Sequence, residues 1–152
     1  MKVVIGSDHG GYILKGKLLE FLKEAGIETL DVGAHDDNPS DYPDFARLVA
    51  ESIISGQAEK GILICGSGVG ATVAANKFPG IRASVCHDTY SARQGVEDDD
   101  MNVLCLGARV IGEELAKEVV RAFLYARYKA LDRYERRLDM IRRIEGQWMR
   151  KD

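Results

Sequence analysis

The sequence is short of cysteine, has no excess of either charge and contains no long apolar run, and each shortage excludes something. Its 3 cysteines are odd in number and widely spaced, unlike a disulfide framework. Acidic side chains number 24 and basic ones 21, for a net charge of −3, so nucleic acid is not expected as a partner. No apolar stretch approaches the roughly 18 residues that cross a bilayer, and no membrane partner is expected. No signal peptide stands ahead of the first strand, which "MKVVIGSDHGG" enters at once. Repeats, linkers and low-complexity tracts are missing too. What remains is the composition of a reduced, cytoplasmic protein. At 152 residues, 45% hydrophobic and 30% charged, the chain suits one domain over 1–152 with a real core.

Short apolar runs alternate with helical patterns. "KVVIGSD" reads as a buried strand, and the helix after it carries Leu14, Leu18, Phe21, Leu22 and Ala25 on one face before Gly26. "ETLDVG" is a second strand, and "YPDFARLVAESIISG" is a helix with Pro43 in its first turn and Gly56 at its end. "GILICG" is the third strand, and "GATVAANK" opens a helix that Pro79 and Gly80 stop. "IRASVC" and "NVLCLG" are strands four and five, with a short helix from Thr89 to about Val96 between them. A long helix follows on the stripe Leu115, Val119, Phe123 and Ala126. Strands apolar throughout and separated by helices imply a parallel sheet covered on both faces. The expected fold is α/β, an open doubly wound sheet of five strands, and such folds bind ligands at the carboxyl ends of their strands. Asp8 and His9, Cys65 to Gly70, and Cys86 to Asp88 fall there.

The last segment, "LDRYERRLDMIRRIEGQWMRKD", is one more helix. At about 100° per residue, Arg133, Arg137, Ile141, Ile144 and Trp148 share one face, and Arg136, Arg143 and Arg150 share another. The second set reads as solvated surface. Arg133 and Arg137 continue the apolar stripe, so they are expected to aim inward, at carboxylates of the fold or at a ligand phosphate.

The stretch "ILICGSGVGATVAANKFPGIRA", Ile62 to Ala83, places Cys65 where a strand gives way to a glycine-rich loop. Gly66, Gly68 and Gly70 leave the backbone bare, so amides can converge on an anion where the helix starts. Three readings compete. Gly66, Gly68 and Ala71 fit a dinucleotide spacing, with Asp88 near the place of a ribose-binding acid, but the motif follows the third strand and no room remains for a substrate domain. A metal site from Cys65, Cys86, His9 and His87 is the second, yet nothing has metal-ligand spacing and no metal is expected. In the third, Cys65 is a base. A thiolate beside converging amides is stabilised, the same amides can hold an oxyanion as a carbonyl becomes an enediolate, and Ser67 adds a hydroxyl. The plain alternative is a buried structural cysteine, as Cys86 and Cys105 are read. His35 and His87 read as surface loop residues.

These residues resemble the type B ribose-5-phosphate isomerases and their relatives, the galactose-6-phosphate isomerase subunits. The matching features are "GSDHGG", "DYPD", "GILICGSGVGATVAANKFPGIRA", "NVLCLGARVIG" and the arginine pair in "DRYERR", in the family order from residue 6 to residue 137. The resemblance implies a Rossmann-like three-layer sandwich with a C-terminal helix. It implies aldose–ketose isomerisation of a phosphosugar through an enediol, without metal or organic cofactor. A homodimer, or a dimer of dimers, with shared active sites is implied as well, the C-terminal extension at about 128–150 touching the partner subunit. Carried over by position, Cys65 would move the proton, and Ser67 with the amides of Gly66, Gly68 and Gly70 would hold the enediolate oxygens. Asp8, His9 and Tyr42 would contact sugar hydroxyls or phosphate. Arg109, Arg133 and Arg137 would bind the phosphate, some of them from the neighbouring subunit. A second branch of the family has a glutamate base slightly later in the loop. Gly70, Ala71 and Thr72 offer no carboxylate, so the cysteine branch fits.

One departure bears on the substrate. Family members acting on ribose 5-phosphate carry a histidine and then an asparagine just before the "NVL" strand, and that histidine is assigned to opening the sugar ring. In "VEDDDMNVLCLG" Asp98 stands at the histidine position and Asp99 at the asparagine position. Read plainly, Glu97 to Asp100 are a solvated acidic loop. A carboxylate, ordinarily near a pKa of about 4, is a weak acid catalyst at neutral pH unless burial raises it. A tetrose phosphorylated on its terminal hydroxyl cannot close a furanose and needs no ring opener, so tetrulose 4-phosphates stand beside pentose phosphates as candidates. Tyr134, which replaces a histidine common after the first arginine, loosens the substrate further. The alternative to an isomerase is a non-catalytic sugar-phosphate or nucleotide sensor on the same fold.

Overall fold

Strands β1 (Lys2–Ser7), β2 (Glu28–Asp31), β3 (Lys60–Cys65), β4 (Ala83–Val85) and β5 (Val103–Gly107) form one sheet in the order β2-β1-β3-β5-β4. All neighbours are parallel, with Ile5 opposite Ile62 and Ile62 opposite Leu104 across its centre. The structure is a computed structural model and describes residues 1–149. Arg150 therefore lies outside the described residues. Alternate residues of each central strand feed two separate cores. Val3, Ile5, Ile62, Ile64, Leu104 and Leu106 meet helices α1 (Tyr12–Glu24), α4 (Thr89–Asp99) and α5 (Glu113–Tyr125) on one side. Val4, Leu63, Cys65, Val103 and Cys105 meet α2 (Tyr42–Ile54) and α3 (Val69–Ala75) on the other. With both sides covered, no position of these strands can be polar without cost, hence the unbroken apolar runs.

Three sequence expectations give way to packing. Ala25 ends α1 as its C-cap and is exposed. In α5 the buried stripe is Ala116, Val119, Val120, Phe123 and Leu124, while Leu115 is 43% exposed. The face that meets the sheet is centred one residue later than the expected stripe. Glu97, Asp98 and Asp99 of "EDDD" lie on helix rather than loop, because α4 runs on to Asp99. Asp88 starts it by accepting from the Ser91 N–H at 2.6 Å. Pairs one turn apart, Arg93 to Glu97 and Gln94 to Asp98, each at 2.8 Å, extend it. It stops at Asp100, whose φ of 51° a short polar side chain tolerates.

The last helix, α6 (Asp132–Trp148), buries Tyr134 and Leu138. Arg133 and Arg137 are exposed, so within one chain they do not aim inward. A step of about 100° per residue separates 133 and 137 from 134 and 138, and it is the latter pair that meets the domain. The arginine face continues into Ile141, Ile144 and Trp148, the last 81% exposed. Among the described residues no helix is long and apolar enough to cross a membrane.

Candidate active site

At its carboxyl end β1 delivers Asp8, and the neighbouring β3 delivers Cys65. The Asp8 N–H donates to the Ile64 carbonyl at 3.3 Å, and the carboxylate accepts from the Gly11 N–H at 3.3 Å, capping the short turn His9–Gly11. After Cys65 the chain turns sharply at Gly68, whose φ is 81°. That turn aims the Gly68 N–H back at Cys65 Sγ, 3.1 Å away. A side chain at Gly68 would have its Cβ 3.0 Å from the Leu106 carbonyl carbon and 2.9 Å from Val85. Behind the loop, a Cβ at Gly107 would lie 2.5 Å from the Ser67 carbonyl oxygen. Bare backbone on both sides lets loop and strand touch.

Other elements close the site around this loop. The Arg109 N–H donates to the Gly66 carbonyl at 3.0 Å, and its side chain passes over Gly66, near enough that a Cβ there would be 3.6 Å away. Tyr42, first residue of α2, lays its ring over Gly70, where a Cβ would come within 2.7 Å of it. Ser67 Oγ accepts from the Val69 N–H at 3.2 Å. The N–H groups of Gly66 and Ser67 have no acceptor among the described residues. Asp8, Tyr42, Cys65, Gly66, Ser67, Gly70, Arg109 and Val110 together line a cleft of about 330 Å³. Val110 is the one lining residue the sequence reading missed, since an exposed valine carries no signal.

Cys65 is 4% exposed, and what shows of it faces this cleft. The other cysteines differ. Burial raises Cys86, and it pushes Cys105 up to about 12, so both stay neutral thiols in the core, Cys105 within β5 as expected and Cys86 one residue past the end of β4.

The remaining expected residues are not gathered here. His9 sits beside the cleft, its N–H donating to Ser40 Oγ at 3.0 Å and its Nδ1 accepting from the Ser40 N–H at 3.1 Å. Arg133 donates to Tyr134 Oη at 3.0 Å and stacks 4.5 Å above that ring. Arg137 is exposed, and Asp98 is bonded to Gln94. Asp99 borders a different cavity of about 550 Å³ between β4, α4 and α6. That cavity is larger, but its guanidinium, Arg82, is committed to Asp100 at 2.9 Å, which leaves no free cation among the described lining residues to draw a phosphate. Among the described residues no group of three or more His, Cys, Asp or Glu side chains is placed to hold a metal ion.

His87 is not the idle surface residue its sequence suggests. Its Nε2 accepts from the Gly107 N–H at 2.9 Å, tying the end of β4 to the strand end that backs Ser67. Acceptance at Nε2 assigns the proton to Nδ1. His87→Leu strands a buried N–H, so stability should fall by about 1–3 kcal/mol. A urea titration with lowered midpoint and unchanged slope would register it; an unchanged midpoint would show that the bond carries no weight.

The cleft lies where the strand order reverses, between β1 and β3, as ligand sites of open α/β sheets do. The molecule is thus a doubly wound α/β protein with a thiol, a carboxylate, a guanidinium and bare amides at its switch point. The sequence model of the family described as Ribose/Galactose Isomerase matches residues 3–141. Ribose-5-phosphate isomerase B of Escherichia coli (strain K12) is 46% identical over 144 residues, 95% of this chain and 96% of that protein. D-erythrulose-4-phosphate isomerase of Pectobacterium atrosepticum is 41% identical over 131 residues, 85% of this chain and 86% of that protein. The solved structure of Clostridium thermocellum Ribose-5-Phosphate Isomerase B superposes with a TM-score of 0.95 at 47% identity, covering 97% of this chain and 99% of that one. The chain belongs to the ribose/galactose isomerase family.

Proposed function

We propose that the protein interconverts the aldose and ketose forms of a small phosphorylated sugar, with Cys65 as the base. The observation that carries this reading is the Gly68 N–H donating to Cys65 Sγ at the cleft. That N–H orients the sulfur at the cleft, and it is as a thiolate that sulfur takes a proton. The carbon-bound hydrogen beside the carbonyl passes to sulfur while the carbonyl oxygen gains charge. The unengaged amides of Gly66 and Ser67, with the Ser67 hydroxyl, are suited to holding that oxygen. The thiol then returns the proton to the neighbouring carbon, and a second proton moves between the two oxygens.

Asp8, His9 and Tyr42 are assigned to the sugar hydroxyls or phosphate, and Arg109 to the phosphate. Asp98, Asp99, Arg133 and Arg137 lie off this cleft, so on this reading a second copy of the chain brings them to it. The exposed arginines run into the apolar residues Ile141, Ile144 and Trp148 on α6, a face suited to such a contact. The substrate is a pentose phosphate, ribose 5-phosphate with ribulose 5-phosphate, or a tetrose phosphate. Asp98 in place of a ring-opening histidine favours the tetrose, for which one relative is named, while the relative of 46% identity and the structure of 47% identity are named for ribose 5-phosphate.

The test is exchange in heavy water. Incubated with D-erythrulose 4-phosphate or ribulose 5-phosphate, the protein should place one deuterium on carbon in the sugar recovered, with the aldose appearing alongside. Turnover of the tetrose should exceed that of the pentose; strong preference for ribose 5-phosphate would remove the tetrose assignment. Binding of four-, five- and six-carbon sugar phosphates with no deuterium entering any of them would make the protein a sensor.

A further inference from the structure

Asp98 does not stand free on α4. Gln94 Nε2 donates to Asp98 Oδ2 at 2.8 Å across one helical turn, and both side chains are half-buried. Two nearby acids are handled differently. Glu97 is held by Arg93 at 2.8 Å and Lys129 at 3.1 Å, and Asp100 by Arg82 at 2.9 Å. Those contacts neutralise charge. An amide orients a carboxylate without neutralising it. With Oδ2 occupied, Oδ1 of Asp98 is left with no partner among the described residues, and an ionised carboxylate can only accept.

We propose that Gln94 is a positioning residue that fixes Asp98 as a hydrogen-bond acceptor and thereby biases the protein toward open-chain sugar phosphates. The inference rests on the reading above, in which Asp98 enters a shared active site. An open-chain sugar presents free hydroxyl groups, and one of them can donate to Oδ1. The ring oxygen of a furanose has no hydrogen; set against a fixed carboxylate, it meets lone pairs with lone pairs. Selection thus works by attraction for one form and repulsion of the other. Lengthwise the pair is well matched, because residues four apart on a helix lie one above the other and glutamine spans the rise.

The experiment compares kcat/KM for D-erythrulose 4-phosphate with kcat/KM for ribose 5-phosphate in the intact protein and in Gln94→Leu, a change of similar volume that suits a helix. The ratio should fall about tenfold or more, the scale of one hydrogen bond to a charged group, chiefly through KM for the tetrose. Asp98→Asn should shift the ratio in the same direction, and Gln94→Leu should add little to it in the double variant. A ratio within twofold of the intact protein's overturns the proposal. So does a parallel loss on both sugars with a lower Tm, which marks Gln94 as merely structural, or a full Gln94→Leu effect in the Asp98→Asn background. Failure of the isomerase reading looks different: the unaltered protein then exchanges no deuterium into either sugar, before any variant is made.

Discussion

Cys65→Ala protein should fold, bind a sugar phosphate and fail to turn it over. Loss of the group that carries the proton should lower kcat by about 10³-fold, or about 4 kcal/mol in the barrier. Binding should survive, because the groups assigned to the hydroxyls and phosphate do not involve sulfur. Thermal shift by the ligand reads the binding, and coupled assay or deuterium exchange reads the turnover. Cys86→Ala and Cys105→Ala are the controls. Both are buried thiols held neutral, so trimming them should cost stability in the core and leave the chemical step in place. Turnover by Cys65→Ala within tenfold of the intact protein would remove the thiol from the mechanism.

The second large effect belongs to Gly68→Ala, and it strikes stability and turnover together. The φ of 81° costs an alanine about 1–2 kcal/mol. Its Cβ would also press on the Leu106 carbonyl carbon at 3.0 Å and the Gly107 nitrogen at 3.1 Å. These are backbone atoms of the central sheet, which cannot step aside as a flexible side chain can, so about 1–3 kcal/mol of overpacking adds to the strain. A fall in Tm of about 5–15 °C follows for a domain of this size. Whatever relaxes will move the Gly68 N–H away from Cys65 Sγ, so kcat should drop beyond what the lost stability explains. Gly16→Ala is the comparison. Gly16 lies within α1 with nothing inside 4 Å of the added carbon, and alanine there should stabilise by up to about 1 kcal/mol. Equal Tm for the two variants would contradict the steric account of the loop.

The cysteine-bearing loop was legible because its information is contiguous. Cys65, Gly66, Ser67, Gly68 and Gly70 follow one another, and the strand before them announces itself by an unbroken apolar run. Asp8 was legible from its place at a strand's carboxyl end, but Tyr42 and Arg109 only through a resemblance carried by several motifs at once. Their arrival at the same cleft depends on β1 lying beside β3 and on β5 on the far side of β3, an order that no local pattern states.

The amino-acid sequence by itself determined which segments become strands, where Gly26 and Gly56 end their helices, and which thiol meets a glycine loop. Each is settled within a few residues, by side-chain period, by a bare backbone or by a cap. Only the tertiary structure decided the rest. α4 outran its expected end because Gln94 and Arg93 reach forward to acids one turn on, and because Arg82 and Lys129 arrive from distant segments to offset charge at its negative pole. His87 acquired a task because its acceptor role needs a donor 20 residues away. The arginines of α6 turned outward because a helix can bury only one stripe, and the sheet's neighbours chose Tyr134 and Leu138. Contacts between segments far apart in the chain are fixed by how the layers pack, and packing is a property of the assembled domain rather than of any stretch within it.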